Sequence, residues 1–365
     1  MSLDKSGAHT TRRLHLQSLV ALTSVALGGT WAPSAQAAES QVQGAGASFP
    51  SKVYGRWMKQ YAEGQSVSLS YKATGSGDGV KQAIARTAQL AGTDAPLNEA
   101  DLAKHKLVQL PMLVGGVVPV VNLPGVENKR LRLTGEVLAL VQQGEITRWD
   151  DARIAELNRG LTLPAKRIVR VVRADKSGTT EGYTRYLSEV SATFKTAVGV
   201  NGLPKWPGEV ERAEGNDGVA ALVKSTSGSI GYVSHDRIET DGLASVTLRN
   251  RDGQWVSSSE AGFRSAILNS DLHRGGVDTA SLMNRAGSES WPITLTSFLL
   301  IDATPANAAA AESTMKFLYW CFMRGDALTR GTGFAPLPTS VQARLTSRLT
   351  AVKPRDGSVP VYQSF

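Results

Sequence analysis

From about residue 40 onward, short β-branched runs alternate with stretches whose apolar residues recur three and four positions apart. That alternation of period two with period 3.6 predicts interleaved strands and helices, an α/β chain. "VSLSY" (Val67, Leu69, Tyr71) reads as a half-buried strand, and after the break "KATGSGDG" the residues Val80, Ala83, Ile84 and Thr87 keep helical spacing. "LVQLPMLVGGVVPVVNLPG" predicts a strand followed by a second strand, with Gly115-Gly116 between them as a hinge or bulge. "EVLALVQQGEITRWDDARIAELN" predicts two helices split at Gly144. Ile168, Val169, Val171 and Val172 form another strand, followed by a helix with Glu181 near its start and Tyr183 and Leu187 on one face. "GSIGYVS" and "LTSFLLI" add two more strands. "ESTMKFLYWCFMRGDAL" is the longest helical pattern, entered through the alanine-rich "ATPANAAAAES" read as a loop.

The first 37 residues stand apart. Arg12-Arg13 precedes an apolar run from Leu14 to about Gly29, and Ala35 and Ala37 supply a small-residue cleavage site. This is the pattern of a cleavable export signal. No cysteine adjoins the cleavage site, so a lipid anchor is not expected. Removing residues 1–37 of 365 leaves 328, enough for two domains with sizeable cores. The loss of Lys5, Arg12, Arg13 and Asp4 lowers the net charge from +8 to +6. No Lys/Arg run accompanies that charge, which argues against a nucleic-acid partner. The single cysteine, Cys321, lies in an apolar helical pattern and reads as a small core residue, so no intrachain disulfide can form. Five of the seven tryptophans (Trp57, Trp149, Trp206, Trp291, Trp320) are scattered and read as core or cleft-wall residues.

The chemistry is concentrated at four junctions where a strand gives way to a helix: "GAGASFP" (44–50), "TGSGDGVKQ" (74–82), "AGTDAPL" (91–97) and "RADKSGTT" (173–180). Any one of them is ordinary turn and N-cap chemistry. The last could be a capped helix with a surface ion pair between Arg173 and Asp175. It could equally be an oxyanion cradle, in which free N–H groups at a helix start and an arginine fork meet negative charge. Four such junctions together favour the anion site. Hydrolytic chemistry lacks its parts: there is no G-x-S-x-G elbow, and the mature chain has only His105, His235 and His273, all in polar contexts that suggest surface positions. There is no HExxH or histidine pair for a metal, and no P-loop or G-x-G-x-x-G fingerprint for a nucleotide. Asp78 with Asp94 as an acid–base pair lacks a further catalytic partner.

Segments "GAGASFPSKVYGRW", "GSGDGVKQAIA", "GTDAPL", "GGVVPVVNLPG", "GEITRWDDARIAELNRGLTLP", "VVRADKSGTT", "GNDGVAALV", "GSIGYV" and "WPITLTSFLLI" occur in the order seen in the phosphate receptors of bacterial phosphate ABC transporters. The mature chain resembles that family along nearly its whole length. The resemblance implies a periplasmic, two-lobed α/β solute-binding protein of type II-like architecture. Its ligand would lie in a cleft between lobes joined by crossing hinge strands. Lobe 1 would comprise residues 38–117 and 290–365, and lobe 2 residues 118–289. Phosphate would meet Ser48, Phe49 (through its N–H), Ser76 and Asp94 from one lobe, and Arg173, Ser177, Gly178 and Thr179 from the other, with Asp175 holding the Arg173 fork. The implied protein is a monomeric receptor, not an enzyme. It needs no cofactor or metal and delivers phosphate to membrane ABC permease subunits. A receptor or sensor for another tetrahedral oxyanion, or an envelope phosphatase, is the alternative. One departure stands out: Asp78 follows Ser76 where the family often has small neutral residues. The single acceptor, Asp94, bears on selectivity. Phosphate keeps a proton it can donate to a carboxylate, whereas sulfate would meet that carboxylate lone pair to lone pair.

Overall fold

The computed structural model describes residues 40–363, and the expected export signal lies outside them. In the first part of the chain, β1 (Ser40–Gly46), β2 (Val67–Ala73) and β3 (Leu90–Thr93) alternate with α1 (Ser51–Ala62), α2 (Ser76–Ala85) and α3 (Glu99–His105). The long strand β4 (Leu107–Asn122) follows, then β5 (Arg132–Leu133), α4 (Gly135–Gln143) and α5 (Ala152–Leu157). The middle of the chain holds β6 (Val169–Arg173), α6 (Gly178–Val190), α7 (Ala192–Ala197), β7 (Glu211–Ala213), α8 (Gly215–Ser225), β8 (Ser229–Ser234) and α9 (Asp236–Asp241). Short strands β9 (Ala244–Ser245), β10 (Thr247–Arg249) and β11 (Trp255–Val256) lead to α10 (Glu260–Leu268) and α11 (Asp271–Arg274). The chain closes with β12 (Thr294–Asp302), α12 (Ala309–Thr329), β13 (Phe334–Pro336) and α13 (Thr339–Arg348).

The principal sheet runs β2-β1-β3-β12-β4-β8-β6-β7. β1 pairs in parallel with β2 and β3, and β6 with β7 and β8. Each of these parallel groups takes the helix-crossover connections that the alternating pattern predicts. β4 joins the two groups. Its first part, residues 107–116, lies antiparallel to β12, and its last part, residues 117–122, lies antiparallel to β8. The chain returns beside this crossing point, where the Val117 N–H donates to the Ile293 carbonyl at 2.9 Å.

β4 corrects the expectation of two strands, because Gly115-Gly116 does not interrupt it. A β-carbon on Gly115 would lie 2.6 Å from the Phe334 ring, and one on Gly116 would lie 2.3 Å from the Phe263 ring. The pair thus makes room for aromatic packing against a continuous strand. Two smaller expectations also change. Ala309–Ala311 already belong to α12 and not to an entry loop, as suits alanine's high helix propensity. His235 is not a surface residue: it is half-buried, packs edge-on to Phe263 with centroids 5.3 Å apart, and hydrogen-bonds the Ser258 hydroxyl at 2.9 Å. The two-helix reading around Gly144 holds, and Cys321 and the five tryptophans are buried in the core.

Candidate functional site

All four hydroxyl-rich junctions fall at the carboxyl ends of parallel strands, where open α/β sheets form ligand crevices. Ser48 and Phe49 lie between β1 and α1, Ser76 opens α2, and Asp94 directly follows β3. Arg173 ends β6, and Ser177, Gly178 and Thr179 open α6. The fold brings these residues into one connected cluster. The Asp94 N–H donates to Ser76 Oγ at 3.2 Å, and the Gly77 N–H donates to the Lys176 carbonyl at 2.9 Å. A β-carbon on Gly178 would lie 2.6 Å from Ser76 Oγ and 2.7 Å from Asp94 Cβ. The start of α6 therefore abuts the α2 and β3 junctions at close quarters. Phe49 is buried with its ring edge-on to Phe334, centroids 5.1 Å apart, so its side chain belongs to the core and only its backbone is available to the cluster.

Arg173 and Asp175 do pair, but not on the surface. Arg173 is only 2% exposed. Its Nε donates to Asp175 Oδ1 at 2.8 Å and its Nη2 to Asp175 Oδ2. Asp175 also accepts from the Gly215 N–H at 3.0 Å. Partial burial works to raise the Asp175 pKa, but the hydrogen bond and charge of Arg173, with the Gly215 N–H, hold it below the usual carboxylate value. The third nitrogen, Arg173 Nη1, is buried without a protein partner. A buried guanidinium N–H left unpaired is costly, which marks this nitrogen as a donor awaiting an acceptor.

Asp94 is the acceptor of the cluster. Its carboxylate takes a hydrogen bond from Ser297 Oγ at 2.7 Å. Burial pushes its pKa up to about 7, against the opposing effects of Ser297, Arg173 and Ser76. Ser177 caps α6, its hydroxyl accepting from the Thr180 N–H at 3.1 Å. The capped-helix reading is thus correct as local structure and compatible with the cradle. α1, α2 and α8 begin without a side-chain cap. Asp78 takes no part: it sits in the first turn of α2 and accepts from Gln82 Nε2 at 2.5 Å, directed along its own helix.

Two residues of the cluster escaped the sequence reading. Asn216, fully buried at the start of α8, donates from its N–H (3.1 Å) and its Nδ2 (2.9 Å) to Ser48 Oγ. The same Nδ2 lies 3.4 Å from Thr179 Oγ1, and Oδ1 accepts from the Ser234 N–H at 2.9 Å. Ser48 is thereby supplied with donors from the opposite side of the cluster, leaving its own hydroxyl proton to give. The "GND" at 215–217 is a fifth strand-to-helix junction of small polar residues, and that signal could have exposed Asn216. Ser297 offered less: it is one hydroxyl in the apolar strand β12. The arrangement can bind a tetrahedral anion through hydroxyls, backbone N–H groups and one guanidinium, and can accept a single proton at Asp94. Among the described residues no group of histidine, cysteine or acidic side chains is placed to hold a metal, and no helix is long and apolar enough to cross a membrane.

This α/β scaffold with its cluster of hydroxyl-rich junctions belongs to a recognised class, since residues 32–324 match the PBP superfamily domain. The phosphate-binding protein PstS of Pasteurella multocida is 38% identical over 317 residues, spanning 87% of this chain and 92% of the relative. PstS of Haemophilus influenzae is 37% identical, spanning 87% and 94%. The chain belongs to the PstS family of phosphate-binding proteins. Among solved structures, a high affinity periplasmic phosphate-binding protein bound with phosphate (PfluDING) superposes with a TM-score of 0.65 at 21% identity, covering 84% of this chain and 93% of that one. The fold is that of a two-lobed solute-binding protein.

Proposed function

We propose that this chain is an exported phosphate receptor that binds inorganic phosphate at the junction cluster and hands it to a membrane ABC permease. The carrying observation is the buried Arg173 Nη1 without a partner, set in the same cluster as the Asp94 carboxylate. Ser48, Phe49 N–H, Ser76, Ser177, Gly178 N–H and Thr179 surround the anion, and Asp175 fixes the arginine fork. Asp94 receives the proton that phosphate retains and sulfate lacks. The lobes meet where β4 changes partners, which supports lobe 1 as residues 38–117 with 290–365 and lobe 2 as 118–289. The receptor works as a monomer in the periplasm after loss of residues 1–37, without enzymatic activity or cofactor.

Calorimetric titration of the mature, phosphate-stripped protein tests the reading directly. One-to-one phosphate binding without sulfate heat is expected. Arg173→Ala should weaken phosphate binding by about 1.5–3 kcal/mol, the range of a charged hydrogen bond. An unchanged dissociation constant in that variant removes the cradle. Phosphate uptake by reconstituted permease that proceeds equally without this protein removes the delivery role.

A further inference from the structure

We propose a second anion site, separate from the cluster above, in a pocket of about 220 Å³ beside β5. It would take clustered phosphate groups, whether joined in a soluble oligophosphate or presented side by side by the headgroups of an anionic phospholipid surface. Lys129, Arg130, Arg132 and Arg159 line this pocket with Asn158, and no acidic side chain lines it. Three other exposed arginines, by contrast, have acidic partners: Arg148 with Asp150, Arg153 with Asp151, Arg185 with Glu181. Lys129 also lines a neighbouring pocket with Asp236, Glu239 and Glu260, but the four cations of this lining still repel one another, and a multivalent anion relieves that repulsion more fully than orthophosphate does.

The pocket is also held in shape. Lys129 has a left-handed backbone, φ 63°, unusual for a non-glycine residue. Its N–H donates to the Ser245 carbonyl at 3.0 Å, and its carbonyl accepts from Thr247 Oγ1 at 2.9 Å. The buried Asn158 side chain clamps Arg132 from both sides, accepting from its N–H at 2.8 Å and donating to its carbonyl at 2.9 Å. The Arg132 guanidinium lies 5.5 Å from the centre of the Trp255 ring, a cation–π contact that leaves the planar edge of the fork for phosphate oxygens. Fixed backbone and a stacked arginine lower the ordering cost of binding.

The test titrates the mature chain, already saturated with orthophosphate, with tripolyphosphate at low salt. One further site per molecule is expected, weakened steeply by added salt. Arg130→Gln with Arg159→Gln should weaken it at least about tenfold, with orthophosphate affinity unchanged. A parallel arm sediments the protein with vesicles of phosphatidylglycerol or of phosphatidylcholine. Selective phosphatidylglycerol binding that the same variant abolishes assigns a lipid headgroup, whereas tripolyphosphate binding alone assigns a soluble ligand. Absence of both, or binding that the double variant leaves unchanged, overturns the site.

Discussion

Replacing Asp94 with asparagine isolates one buried charge. Burial raises this carboxyl from its ordinary value of 3.8 to about 7 in the folded, ligand-free protein. The folded state therefore holds a proton that the unfolded chain has released over the whole interval between those values. Stability from Asp94 is fully present below about pH 4 and is lost as pH rises through about 7. At about 1.36 kcal/mol per pH unit, the loss relative to acid is about 2 kcal/mol at pH 5 and about 4 kcal/mol at pH 8. Asparagine is neutral throughout, and its side-chain oxygen can still accept from Ser297. Urea denaturation of both phosphate-stripped proteins should show the Asp94→Asn variant gaining about 2–3 kcal/mol on the wild type between those two pH values, with equal m-values. Subtracting one protein from the other at each pH removes the contributions of the remaining carboxylates. A difference independent of pH would falsify the assignment of a buried, proton-holding carboxyl. In the same variant the amide can donate, so the gap between phosphate and sulfate affinity should narrow. Undiminished exclusion of sulfate would refute the role of Asp94 in selectivity.

Three further substitutions probe the junction. Gly178→Ala places a β-carbon 2.7 Å from Asp94 Cβ, so phosphate affinity should fall by about 1–3 kcal/mol while the urea stability of the phosphate-stripped protein changes less; calorimetry beside denaturation separates the two. Asn216→Ala strips the side-chain donor from Ser48, keeping the backbone one, and leaves the Ser234 N–H without its acceptor, which should lower stability by about 1–3 kcal/mol and weaken phosphate binding; an unaltered urea midpoint excludes that network. Ser297→Ala removes a hydrogen bond that favours the ionised form of Asp94, so the pH at which Asp94 stability is lost should rise; an unmoved stability–pH profile refutes the link.

The sequence by itself determined the alternation of elements and the chemistry at their junctions. β-branched runs and helical spacing are local properties, and glycines and hydroxyls between them mark the turns where backbone N–H groups stay free. Ser48, Ser76, Asp94 and the 173–179 loop were legible on that ground, and the resemblance to a known family sorted them into one site. Tertiary structure decided what depends on residues far apart in the chain. Whether Gly115-Gly116 broke a strand or admitted aromatic rings could not be read from two glycines, because Phe263 and Phe334 arrive from elsewhere. Ser297 looked like one more hydroxyl in a strand until β12 lay against β3 and carried it to Asp94. Asn216 gained its meaning from Ser48, 168 residues away. The capped helix and the arginine–aspartate pair were local and correctly read. That the pair is buried, and that one guanidinium nitrogen has no protein partner, follows from packing, since desolvation is a property of everything that surrounds a charge.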